Sequence, residues 1–88
     1  MIRIEHPDAA QLAALGVEQW PVWEHGVAEF PWTYGEQETC FILQGSATIT
    51  PQEGEPVRIQ AGELVTFPAG MSCRWNITAD IRKHYRFG

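Results

Sequence analysis

No run of apolar residues in this chain approaches the ~18 that a membrane-spanning helix needs. The opening stretch, Met1 to Gln11, carries no basic cluster followed by an apolar core. Neither a membrane span nor a secretory leader is expected, and a cytoplasmic protein is the default expectation. Basic residues are few, 6 against 11 acidic, for a net charge of −5. Nucleic-acid binders normally present a basic face, so that class is set aside. Cysteine is scarce as well. The two present, Cys40 and Cys73, are too far apart for a zinc-ligand spacing or a Cys-x-x-Cys redox pair. A structural disulfide is not expected in a reducing compartment. No internal repeat, low-complexity segment or linker interrupts the chain.

Turn signals, by contrast, are dense: Pro21, Gly26, Pro31, Gly35, Gly45, Pro51, Gly54, Pro56, Gly62, Pro68 and Gly70. Between them lie short β-prone runs over 18–23, 27–33, 38–44, 46–50, 56–60, 63–67, 72–78 and 81–87. Such spacing predicts an all-β sandwich or barrel. One short helix is expected near the start, opened by Pro7 or Asp8, filled by alanine and leucine, and closed by Gly16. At 88 residues and 44% apolar, the chain is expected to form a single domain over 1–88 with a modest core.

Alternation assigns faces. In 72–78, Cys73, Trp75 and Ile77 share one side; in 81–87, Ile81, Lys83, Tyr85 and Phe87 do. Lys83 therefore points with the aromatics into the core, which is costly unless it is paired. In 38–44, Glu38, Cys40 and Ile42 face one way and Thr39, Phe41 and Leu43 the other. Both sides of that strand are apolar enough to be covered, one by the barrel interior and the other by the helix or by another subunit, and the latter is the argument for a homodimer. Acidic residues dominate up to Glu63, whereas Arg74, Arg82, Lys83 and Arg86 face only Asp80 in the rest. The basic stretch either pairs beside acidic strands or offers a patch to an anionic partner.

The register Gly26–Trp32–Tyr34–Glu38–Gly45, followed by Gly62–Pro68–Gly70–Cys73, resembles the two cupin motifs, over regions 26–45 and 62–77. Trp20-Pro21-Val22-Trp23, Glu38-Thr39-Cys40, Leu43-Gln44-Gly45, Phe67-Pro68-Ala69-Gly70 and Lys83-His84-Tyr85 extend the likeness to the ureidoglycine aminohydrolase-like cupins. The resemblance implies a jelly-roll β-barrel, with Gly45 and Gly62 at hairpin turns. It also implies that a divalent metal would be held by three histidines and one glutamate. The histidine positions carry Trp32, Tyr34 and Cys73, only Glu38 remains, and the usual asparagine is Ile77. No cofactor and no metal ligand set is therefore expected. A zinc ion on Glu38, Cys40, Cys73 and Tyr34 is the less favoured alternative.

Within that register Trp32, Tyr34, Glu38, Cys40, Cys73 and Trp75 line the barrel interior, and Lys83 enters from the last strand. Glu38 and Lys83 would offset each other's burial. Three readings follow. The first is a metal-free pocket for a small polar or anionic metabolite. There Trp32, Cys40, Cys73 and Trp75 bind the ligand, and Glu38 with Lys83 or Tyr34 carries any acid–base chemistry. The second is a metal-dependent enzyme similar to ureidoglycine aminohydrolase, which acts on a small ureido compound with manganese. The third is a non-catalytic structural or interaction module whose barrel is plugged by Trp32 and Trp75. His6, His25 and His84 fall in a helix lead-in, a turn and an outward position, and offer no catalytic base.

Overall fold

The computed structural model describes residues 1–88. Seven strands and one helix follow in order: β1 (Arg3–Glu5), α1 (Ala9–Leu15), a 3-10 turn (Val17–Gln19), β2 (Val22–His25), β3 (Ala28–Thr33), β4 (Glu38–Pro51), β5 (Val57–Gln60), β6 (Leu64–Phe67) and β7 (Ser72–Phe87). All strand pairs are antiparallel. The architecture is all-β, as the turn spacing predicts, and its barrel is the jelly roll that the cupin resemblance implies. No helix is long and apolar enough to cross a membrane.

Two long strands organise the barrel. β7 pairs with β2 and β3 on one side and with β4 on the other, while β4 also holds β5 and β6. The sequence suggested four separate strands here, split near Gly45 and near Asp80. The structure instead has two continuous ones whose register slips between Ile42 and Ala47. Such a bulge bends a strand and sharpens its twist, which is what lets a sheet curl around a core.

Gly45 makes the slip possible. It was expected in a hairpin turn but sits inside β4 at φ 87. A Cβ there would fall on the main-chain carbonyl oxygens of Asp80 and Ala79. Gly62 does occupy a turn, at φ 91, and has open space around it.

Helix α1 has clean boundaries. Asp8 and Gln11 form a reciprocal capping box, and Gly16 closes the helix at φ 71. None of its residues is buried, and Val17 just beyond it provides the anchor. The first strand region, 18–23, proves to be that 3-10 turn followed by β2. β1 has no counterpart among the expected strands, being only Arg3–Glu5 laid along β6.

The core follows the alternation. Cys73, Trp75, Ile77, Ile81 and Lys83 of β7 are buried, and Arg74, Asn76, Thr78 and Arg82 between them are exposed. The outward arginines pair with acids on neighbouring strands, Arg74 with Glu29 at 3.2 Å and Arg82 with Glu24 at 3.0 Å. The basic stretch thus sits beside acidic strands. On the outer side of β4, Thr39 is buried and Phe41 half-buried within the single chain, whereas Leu43 stays exposed. Cover on that face comes in part from the chain itself, so the pattern does not by itself require a second copy.

Gly45→Ala is expected to destabilise the fold by about 3 kcal/mol, since backbone strain and the collision with fixed carbonyls add. Gly62→Ala should cost only about 1–2 kcal/mol, the strain of positive φ alone. Urea denaturation of both variants checks this, and equal losses would remove the special role of the Gly45 contact.

Candidate functional site

Glu38 opens β4, opposite Phe67 of β6 and Phe87 of β7. Lys83 lies on β7 opposite Ile42 and Trp23. Phe87, Tyr85 and Lys83 occupy successive inward positions, so the long lysine stem reaches back along the barrel wall towards the glutamate. Its Nζ donates to Glu38 Oε2 at 2.6 Å, and both side chains are only 6% exposed. A charge-assisted bond this short, between groups nearly out of water, fixes both side chains.

Aromatic faces complete the ammonium's surroundings. Nζ lies 4.8 Å from the Trp75 ring centre, 5.0 Å from that of Trp23 and 5.9 Å from that of Phe67. Each is within cation–π reach. These rings are themselves locked: Trp75 stacks on Phe30 and meets Trp23 edge-on, while Phe67 stacks on Tyr34 at 4.8 Å.

Above this pair lies a cavity of about 240 Å³ walled by Trp23, Phe30, Trp32, Tyr34, Trp75 and Tyr85, with Phe87 also on its lining. Trp32 is 48% exposed. It borders the opening and does not plug it. Trp75 donates its indole N–H to the Tyr34 hydroxyl at 3.1 Å, which leaves the Tyr34 O–H free to donate. Burial pushes the Tyr34 phenol well up, and the nearby Glu38 charge pushes it further, so the hydroxyl stays protonated. Glu38 Oε1 has no protein partner. Every polar side-chain atom sealed from solvent does have one, so this oxygen opens to accessible space beside the cavity.

The structure therefore brings Glu38, Lys83, Tyr34, Trp32 and Trp75 together around one cavity. Cys40 and Cys73 are placed differently. Both face inward and are buried, but they belong to the core cluster and are not among the lining residues. Burial pushes the Cys40 thiol up to about 12, the net of desolvation against the attraction of Lys83, and it raises Cys73 as well. At neutral pH both are thiols, not nucleophiles. Trp23, Phe30, Tyr85 and Phe87 are lining residues that the motif register did not name. Alternation had already put Tyr85 and Phe87 on the Lys83 face, and that was the available signal.

A divalent metal of the kind the cupin resemblance implies does not fit these residues. The chain brings no three of His, Cys, Asp and Glu together. Trp32 pairs with Cys73 across β3 and β7 and offers no ligand atom, and burial keeps the Tyr34 phenol protonated, a poor metal ligand. Glu38, the remaining ligand position, is neutralised by Lys83. The histidines are engaged elsewhere: His6 with Glu63 at 3.0 Å, His25 with the Gly26 carbonyl, and His84, half-buried, with the Trp20 carbonyl. Nor do Glu38, Cys40 and Cys73 assemble into the alternative zinc site.

Residues 12–85 match the family model described as the EutQ-like cupin domain. A DUF861 family protein of Thermotoga maritima is 44% identical, with each chain covered over 100% of its length and a TM-score of 0.98. A putative ethanolamine utilization protein Q of Salmonella typhimurium is 27% identical over 75% of this chain, with a TM-score of 0.68. The match spans 53% of that protein's length. The Clostridium difficile EutQ protein, 24% identical over 75% of this chain and 52% of its own, shares the fold at a TM-score of 0.68. No curated protein matches the chain.

Removing one member of the buried pair leaves the other charge uncompensated. Glu38→Gln is expected to cost about 3 kcal/mol in urea denaturation. Replacing both, Glu38→Leu with Lys83→Met, should return stability to about the original level. If the double variant is as unstable as the sum of its single changes, the two side chains do not act as a pair.

Proposed function

The chain belongs to the EutQ-like cupin family, and on that footing we propose that its barrel binds a small polar metabolite without a divalent metal. The observation that carries this reading is the open cavity over the Glu38–Lys83 pair. A purely structural module would fill that space, and Trp32 leaves it open. An aromatic wall over a few convergent polar groups is the usual make-up of a small-molecule site.

The free groups define the ligand. Glu38 Oε1 accepts a hydrogen bond, the Tyr34 hydroxyl donates one, and Trp23, Phe30 and Trp75 offer flat apolar faces. Glu38 and Lys83 are the only charged residues lining the cavity, and they neutralise each other. A neutral polar molecule is favoured over an anion for that reason, because an anion would find no unpaired cation. Amides and ureas carry a donor N–H and an acceptor oxygen on the same carbonyl carbon. The ureido resemblance therefore stays within the reading as a ligand class, without the metal chemistry of ureidoglycine aminohydrolase. In this reading Trp32 and Trp75 are ligand-contacting walls, while Cys40 and Cys73 support them from the core.

Propionamide and methylurea are suitable probes, followed by the indole N–H resonances of the four tryptophans. Saturable shifts confined to Trp23, Trp32 and Trp75 are expected. Tyr34→Phe keeps the stack on Phe67 and should weaken binding by up to about tenfold, the scale of one hydrogen bond. Shifts spread evenly over all four indoles, Trp20 included, would remove the cavity as the binding site.

A further inference from the structure

Lys83 is the only lysine in the chain; the other basic residues, Arg3, Arg58, Arg74, Arg82 and Arg86, are all arginines. Arg74 and Arg82 do on the surface what a lysine could do, pairing with Glu29 and Glu24. The one interior cation is the one that can lose its proton. A guanidinium stays charged in a protein and would serve a buried ion pair better, through two parallel hydrogen bonds to a carboxylate. A primary amine beside a carboxylate, under an open cavity, has a capacity arginine does not have: it can become a nucleophile.

We propose that Lys83 forms a covalent iminium with a small neutral aldehyde or ketone admitted to the cavity. The proposal rests on the reading that this cavity takes small molecules. The geometry supplies each role. Glu38 Oε2, 2.6 Å from Nζ, is the base. The Tyr34 hydroxyl, whose proton has no protein acceptor, lines the same cavity and donates to the carbonyl oxygen. Trp23, Trp75 and Phe67 hold whatever cation occupies the Nζ position.

The step balances. Glu38 takes one proton from the Lys83 ammonium. The freed lone pair attacks the carbonyl carbon, and the carbonyl π pair moves to oxygen, where Tyr34 donates a hydrogen bond. Glu38 returns its proton to that oxygen and takes a second one from nitrogen, giving a neutral carbinolamine. It then protonates the departing hydroxyl. Water leaves as the nitrogen lone pair forms the C=N bond. One ammonium and one carbonyl become one iminium and one water, with no oxidant, reductant or metal. The nitrogen is positively charged before and after, so the ion pair and the cation–π contacts survive the reaction. No unpaired charge is created at the end state, which is what makes the step feasible in so dry a place. With both charged groups matched to each other, the carbonyl compound itself should be uncharged.

The full chain is incubated at neutral pH with propanal and sodium cyanoborohydride, and adducts are located by peptide mass spectrometry. Because there is a single lysine, the only competing amine is the α-amino group of Met1. The expected result is propylation of Lys83 ahead of Met1, although Lys83 is buried and Met1 is fully exposed. Lys83→Arg should leave only the Met1 adduct. Glu38→Gln should slow the Lys83 adduct on the order of a hundredfold, the loss of a general base. Should either variant fail to fold, the modified position in the wild-type chain still decides. Modification of Met1 with Lys83 untouched overturns the proposal. Propionamide binding measured on the same sample separates the two readings. If propionamide binds and Lys83 is unmodified, imine formation alone is wrong; if neither occurs, the binding reading falls too.

Discussion

The contact between Lys83 Nζ and Glu38 Oε2 constrains nearly everything around it. Neither group could be buried alone, because each would carry a desolvation cost of several kcal/mol. Together they fix the start of β4 against the end of β7 and dictate what may surround them. The ammonium needs electron-rich faces, and Trp23, Trp75 and Phe67 provide them. Those rings then have to be held, which is the part played by Phe30 and Tyr34. The aromatic wall of the cavity is thus a consequence of housing one charge as much as a device for gripping a ligand.

The pair also explains how a cupin barrel tolerates the loss of its histidines. A carboxylate facing the interior of a barrel demands positive charge. Here that charge is covalently part of the chain. Trp32, Tyr34 and Cys73 then stand at the histidine positions of the resemblance without being needed to meet the Glu38 charge. The barrel keeps its shape with an amine and a carboxylate paired at its centre and a phenol beside them. Fold alone does not choose among those chemistries.

Much of this was readable from the residues. Asp8 and Gly16 bracket α1 because their cap chemistry is local. Lys83 was placed inward by counting in twos from Ile81, and its need for a partner pointed to Glu38. Other features were beyond a one-dimensional reading. Alternation gives the face of a residue but not its height along the barrel, so Cys40 and Cys73 were put at the cavity when they lie in the packed core. Gly45 and the Ala79-Asp80 step look like strand breaks, yet they are the two sides of one bulge, visible only once β4 and β7 are paired. β1 owes its existence to the edge of β6, not to any propensity of Arg3–Glu5. Trp23 and Phe30 reach the cavity through their pairing with Lys83 and Trp75 across strands far apart in sequence.

β7 is the strand against which β2, β3 and β4 all pair, and it follows each of them in the chain. During synthesis on the ribosome, β4 can pair with β5 and β6, but β2, β3 and the β7-facing edge of β4 emerge unmatched. Native pairing across the barrel has to wait for residues 72–87 to clear the exit tunnel. Folding that depends on such late, distant partners is slow and leaves sticky edges exposed. The lysine and its carboxylate are separated in time as well as in sequence. Until β7 arrives, Glu38 has no ammonium to pair with, and the cavity lacks the walls that Trp75, Tyr85 and Phe87 supply.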